Sequence, residues 1–346
     1  MNVAGLIFSN LHDSDLPALT AKRTMGAVPF GGRYRLIDFP LSAMVNAGLT
    51  HISIIAHHNY QSLMEHIGSG KDWDLARHTG GIRIVPPFSA AFANPDETYD
   101  SRMETLLSVR GLIDRITEEH VLFCDCDVVG VPDLTSLIEA HRTGGLPITL
   151  GTEKTAADDP AALHIWIART DFLRDILREA KERHYTSFHR DVMRREMMKG
   201  NVSTHAFSER FFRLRSLAEY YRLQMLLATD VDVRHELLET PNRPIFTKIQ
   251  NLPPVKYGAE AEVCDALIAD GCVIEGSVKS SIIFPGVHVG RGCVVENAVL
   301  MENCHLVGHA RVGSVILDKN VSLGEGVELH GHATLPFFVE EGRLIS

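Results

Sequence analysis

Charged side chains gather at three places in this chain where they could do chemistry. Directly after the apolar run Val3–Phe8, residues 10–16 read Asn-Leu-His-Asp-Ser-Asp-Leu, which sets the carboxylates of Asp13 and Asp15 two residues apart. Such a pair repels a phosphate chain by several kcal/mol at close range in a partly shielded site. Asp127 follows a second apolar run, Val121–Cys124. It is a candidate metal ligand, although one carboxylate holds Mg²⁺ weakly without a second ligand. Arg190, Arg194 and Arg195, with Lys199, make a basic run on a predicted helix. That run suits an anionic effector such as a sugar phosphate, or simply a solvated face, which is the favoured reading.

Other reactive residues lack the spacing that chemistry needs. Cys124 and Cys126 form a Cys-x-Cys, but no second cysteine pair stands at zinc-ligand spacing. A strand places both on one face, and reduced, buried thiols are expected. His57–His58 and the His184/His189 pair lack a helical i, i+4 register with a third ligand.

The elements that must position these residues can be read from periodicity. Val3–Phe8, Ile52–Ala56, Val121–Cys124 and Leu163–Ala168 are buried-strand runs, separated by helical segments within Leu36–Leu49, at Ser62–Ile67 and at Asp171–Lys181. Thr170 or Asp171 is the expected N-cap of the last of these. Met103, Leu106, Leu107, Ile113 and Ile116 fall on one face of a predicted longer helix. Alternation of this kind predicts an α/β fold, Rossmann-like, with a mostly parallel sheet covered on both faces. Residues 152–160 read as a polar loop. The segment 240–258 carries four prolines and little periodicity, and reads as a linker.

Beyond it the pattern changes. An aliphatic couplet recurs about every six residues: Val287/Val289, Cys293/Val295, Val299/Met301 and His305/Val307, then, after a slip, Val315/Leu317, Val321/Leu323 and Val327/Leu329. A six-residue period with small turn residues is the signature of a parallel β-helix, here of roughly four coils, left-handed as hexapeptide repeats are. The expected division is 1–240, a linker over 241–258, and a β-helix over 259–346.

Composition bounds the function. The 346 residues are 45% hydrophobic and 23% charged, with a net charge of −10 and no block of Lys or Arg. Nucleic acid is excluded as a partner on this balance. No apolar run is long enough to span a membrane, and the first ten residues lack a basic leader region, so a cytoplasmic protein is expected.

Residues 19–49, LTAKRTMGAVPFGGRYRLIDFPLSAMVNAGL, with the linker NRPIFTKIQNLPPVKY and the helix SLAEYYRLQMLL before it, give the chain a family resemblance. It resembles glucose-1-phosphate adenylyltransferase, also called ADP-glucose pyrophosphorylase. The resemblance implies a nucleotidyltransferase domain that joins ATP and glucose 1-phosphate, with magnesium held by carboxylates and phosphates held by Gly-rich backbone and cations.

At the positions that would do this work the sequence departs from the family. The Gly-rich loop is replaced by residues 10–16. Asp15 stands where an arginine is expected, with Asp13 two residues before it, and Met25 stands where a lysine is expected. His57 and Phe88 take glutamine positions. Tyr99, Asp100, Ser101, Arg102, Met103 and Glu104 replace the sugar-phosphate loop, and a lysine-bearing segment is missing between Leu150 and Leu163. Asp127 matches one metal aspartate; the second is absent, with Arg213 or Leu214 in its place.

The expected pocket remnants are therefore Asn10, Asp13, Asp15, Met25, Gly31, Gly32 and Arg33. Arg33, Arg35, Arg190 and Arg194 are possible effector contacts, with a structural ion pair through Asp38 the favoured reading of the first two. The pattern resembles the family's non-catalytic, GlgD-type subunit. This implies a hetero-oligomer, expected to be tetrameric, with a catalytic GlgC-type subunit, magnesium being needed by that partner and no cofactor by this chain. Two alternatives stand beside it: an active sugar-1-phosphate nucleotidyltransferase with a rebuilt phosphate loop, and a hexapeptide acyltransferase using His288, His305 or His309.

Overall fold

The structure, a computed structural model, describes residues 2–76, 80–86, 101–154 and 163–346. Phe88, Tyr99, Asp100 and most of the gap between Leu150 and Leu163 lie outside the described residues.

The first domain is a seven-stranded sheet. Its strands are β1 (Val3–Phe8), β2 (His51–Ile55), β3 (Gly81–Val85), β4 (His120–Asp125), β5 (Ile148–Glu153), β6 (Trp166–Arg169) and β7 (Val202–Phe207), in the spatial order β7-β5-β6-β4-β1-β2-β3. All pairings are parallel except those of β6, which runs antiparallel to both neighbours. β1 is buried at every position because helices cover both faces. The chain leaves β1 toward β2 on one side and returns to β4 on the other. The loops after β1 and β4 therefore open at a topological switch point, where α/β sheets form crevices.

Two helices differ from expectation. The predicted long helix after residue 101 is two short ones, α1 (Arg102–Ser108) and α2 (Arg110–Ile113), broken at Val109; Met103, Leu106 and Ile113 nevertheless share a buried core. Thr170 is the first residue of its helix, not the cap; that helix runs Thr170–Glu182.

The second domain is a parallel β-helix of three sheets, with six, five and five strands. Register pairs Lys256 with Val273, then His288, His305, Ser322 and Leu344, so successive coils hold 17, 15, 17, 17 and 22 residues. That is five coils, not four, because the first strand, Lys256–Tyr257, lies inside the segment read as linker. A 17-residue coil has one side a residue short of six. The interior positions thus run Cys293 and Val295, then Ala298 and Leu300, then Cys304 and Leu306. The couplets Val299/Met301 and His305/Val307 were read one residue out of phase. His305 and Val307 face solvent.

Val299 and Met301 are also buried, but outward. With Ile282, Phe284 and Ile316 they join the core of the sheet domain. This side of the prism is apolar on both faces because it is the interface between the domains. Helix α3 (Leu217–Thr229) packs on it, and Tyr221 donates its hydroxyl to the Asn297 carbonyl at 2.6 Å. The linker is tied down as well: Thr247 donates to Asp38 at 2.6 Å and the Phe246 N–H donates to Ser42 at 2.8 Å.

A buried ion pair closes the seam. Arg23 donates to both carboxylate oxygens of Asp318, at 2.8 and 3.0 Å, with Glu341 behind it at 3.3 Å. Removing one member of such a pair strands a buried charge. Asp318→Ala should therefore destabilise the chain by about 3–5 kcal/mol in equilibrium denaturant unfolding, and Arg23→Met with Asp318→Leu should recover most of the loss.

Candidate functional site

The loop after β1 and the end of β4 meet over two fully buried carboxylates, Asp125 and Asp127. Each is matched by a guanidinium. Arg102, at the start of α1, grips both oxygens of Asp125, through Nη1 at 2.8 Å and through Nη2. Arg213 donates its Nε–H to Asp127 at 2.9 Å. Two imidazoles complete the cluster. His12 Nε2 lies 2.8 Å from Asp125 and 3.6 Å from Asp127; His164 Nδ1 lies 3.3 Å from each. Their rings stack, centroids 4.8 Å apart.

Burial by itself would keep both aspartates protonated. Hydrogen bonds and positive charge outweigh it: Arg102, His12 and His164 hold Asp125 well below the usual carboxylate range, and the histidines hold Asp127 low as well. His12 is raised in turn, because its bond to Asp125 and the field of Asp127 overcome its own desolvation.

The four groups His12, Asp125, Asp127 and His164 offer atoms within 4.8 Å of one another. They do not fit a magnesium ion, which takes oxygen donors in near-octahedral geometry. They also do not fit a transition metal as arranged. Arg213 Nη2 donates to His164 Nε2 at 3.1 Å, so the lone pair sits on Nε2 and the Nδ1 proton points at the carboxylates. The fixed charge of Arg213 already occupies the side of Asp127 that a cation would approach.

The expected site residues are placed as follows. Asp13 and Asp15 lie in one helical turn. Asp13 accepts the Met25 N–H through Oδ1 at 2.6 Å, and its carboxyl is pushed up to about 7 by burial. Asp15 lies 3.4 Å from His12. Met25 is buried, and Asn10 stands two residues past the end of β1. Gly31 and Gly32, at φ +58° and +81°, are not at the carboxylate cluster: with Arg33 they line the seam facing the β-helix. Both glycines need that backbone to turn between short strands.

Arg35 and Asp38 bond each other within the sheet domain. The Arg35 N–H donates to Asp38 at 2.9 Å, and its guanidinium reaches Ser62 and lies 3.7 Å from Glu302. Asp38 also bonds His66 at 2.6 Å. Arg190 is paired with Asp191 at 2.8 Å, and Arg194 is exposed on the following turn. His57 is buried.

Sequence reasoning missed Asp125, His12, His164 and Arg102 as members of one cluster. Strand parity held part of the signal, since Asp125 and Asp127 alternate with the two cysteines and share a face. Of Arg213 and Leu214, Arg213 meets Asp127 through its side chain, while Leu214 is buried and donates its N–H to the Asp127 carbonyl.

A switch-point crevice joined to a hexapeptide prism is the architecture that the comparisons with known proteins place among the nucleotidyl transferases. Residues 14–160 match the nucleotidyl transferase family model, and residues 253–333 match the GlmU-like, C-terminal hexapeptide model. The chain is 31% identical to the glycogen biosynthesis protein GlgD of Bacillus subtilis over 98% of its own length and 95% of the relative's. It is 33% identical to GlgD of Geobacillus stearothermophilus over 84% and 82%, and 28% identical to glucose-1-phosphate adenylyltransferase of Thermotoga neapolitana over 85% and 76%. The chain belongs to the glucose-1-phosphate adenylyltransferase family, in its GlgD group, and its second domain is a left-handed β-helix.

The raised Asp13 gives a pH signature. Between 3.8 and about 7 the folded chain keeps a proton that the unfolded chain has lost. Stability therefore falls as pH rises through that window and is flat above it. Asp13→Asn keeps the acceptor for Met25 and removes the titration. It should be more stable than the parent at about pH 8, with the gap shrinking toward about pH 4, as read by urea unfolding across the range.

Proposed function

We propose that this chain is a non-catalytic subunit of a bacterial glucose-1-phosphate adenylyltransferase and acts in glycogen biosynthesis. It assembles with a GlgC-type catalytic partner, which makes ADP-glucose from ATP and glucose 1-phosphate, and changes that partner's rate and effector response. The setting is cytoplasmic. Among the described residues no helix is long and apolar enough to cross a membrane.

One observation carries this reading: Arg213 pairs with Asp127 at 2.9 Å. Nucleotidyl transfer depends on cations placed against the phosphates as charge develops. Here the carboxylate that would hold a metal is spent on an internal guanidinium. The loop that would cradle the phosphates carries Asp13 and Asp15, and Met25 offers no charge. Losing one electrostatic stabiliser costs roughly 10²–10³ in rate; several are lost together. The protein instead supplies a rigid partner surface, its two domains locked by Arg23 and Asp318. A two-fold arrangement with a catalytic subunit of the same fold suits such a surface. Any magnesium requirement belongs to that partner, and a sugar phosphate is the proposed effector.

ADP-glucose synthesis should be assayed with this chain alone, the catalytic subunit alone, and both together. The chain alone should run at least about a thousandfold below the catalytic subunit. The mixture should differ from the catalytic subunit in rate and in its response to sugar phosphates. Unchanged kinetics in the mixture would remove the regulatory role; ordinary turnover by the isolated chain would establish an active transferase with a rebuilt loop.

A further inference from the structure

At the opposite end of the sheet from the carboxylate cluster, where β1, β2 and β3 begin, one face changes character row by row. Alternate residues of a strand share a face. Register sets Phe8, Ile55 and Val85 side by side, then Leu6, Ser53 and Arg83, then His51 and Gly81, with Ala4 next in line on β1. The first row is buried core. Past Leu6 the side chains are small or polar, and the face opens into a groove of about 200 Å³. Helix α2 ends at Ile113, and Arg115, Thr117 and Glu118 of the turn after it line the groove.

The groove is built around a fixed histidine. His51 Nδ1 bonds the Glu118 carboxylate, which also accepts the Thr117 N–H at 3.1 Å. Gly80 lies against the ring: a Cβ there would sit 2.3 Å from His51 Cδ2, so glycine alone leaves the ring its place. The carboxylate in the lining is thus turned onto its own partners. The cations are not. The side chains of Arg83, Arg115 and Ser53 have no hydrogen-bond or ion-pair partner among the described residues. Two unmatched guanidiniums on one groove repel each other, and an anion between them reverses the sign of that interaction.

Size and donor number narrow the anion. The volume is below the roughly 300–1,000 Å³ of ordinary small-molecule pockets, which excludes a nucleotide or a disaccharide. A carboxylate has two acceptor oxygens, and one guanidinium satisfies both. Two guanidiniums with the Ser53 hydroxyl offer more donors than that, a number suited to a tetrahedral anion of higher charge.

We infer that this groove binds a tetrahedral dianion of the size of inorganic phosphate, held by Arg83 and Arg115 with the Ser53 hydroxyl on the sheet beneath. The inference is independent of the regulatory role, since the groove lies at the far edge of the sheet from the crevice and is complete within one chain.

The intact chain should be titrated with inorganic phosphate at fixed ionic strength and mildly alkaline pH, where phosphate is a dianion. The readout is the NMR ring-proton signal of His51, assigned by its loss in His51→Asn; it reports on this groove and not on anions bound elsewhere. Phosphate should move that signal saturably. Arg83→Met and Arg115→Met, both at exposed positions, should each weaken binding by about tenfold or more. The double variant, checked for folding by circular dichroism, should lose the response. Succinate at the same ionic strength should bind at least about tenfold more weakly than phosphate. A His51 signal that phosphate leaves unmoved would overturn the proposal. So would unchanged phosphate affinity in the folded double variant, or succinate binding as tightly as phosphate.

Discussion

The ion pair between Arg213 and Asp127 sets the character of the whole crevice. A guanidinium is a cation that cannot dissociate or deprotonate at ordinary pH. Once it bonds to a buried carboxylate, the site has its counter-charge built in, and the neighbours adjust to it. His164 accepts from Arg213 and turns its other nitrogen to the aspartates; His12 stacks on His164 and bonds Asp125; Arg102 closes the opposite edge. The outcome is a charge-matched cluster. A buried ion pair of this kind adds little net stability over an apolar replacement, so its consequence is chemical: it decides which ligands the crevice can accept.

The same logic of internal matching runs through the rest of the molecule. The loop that would hold phosphates is folded on itself by Asp13, Met25 and Thr20, whose hydroxyl donates to the Asp13 carbonyl at 2.7 Å. Two residues before Met25, Arg23 crosses to Asp318 of the β-helix. Altered loop and prism are therefore parts of one packed unit. The outward aliphatics Val299 and Met301 extend that unit, since they belong to the core of the sheet domain and not to the interior of the coil.

Much of this was legible in the sequence. Buried strands such as Val3–Phe8 declare themselves as continuous apolar runs, and the β-helix declares itself by period. The period misled at Val299 because a 17-residue coil has one short side, and an aliphatic there fills an interface as readily as a core. The long helix after residue 101 was also misread: apolar spacing persists across Val109 although the backbone breaks. Loss of glycines and cations was visible residue by residue. What replaced them was not, because Arg102, His164 and Arg213 come from separate elements far apart in the chain and meet only through the sheet order. No periodicity encodes that meeting.

Binding of Mn²⁺, followed by electron paramagnetic resonance, tests the central claim most directly when the parent chain and Arg213→Asp are titrated side by side. The parent should show no saturable site, because Arg213 neutralises Asp127. The variant replaces that cation with a second carboxylate facing Asp127 and should gain one site. A parent chain that binds the ion as tightly as the variant would contradict the account.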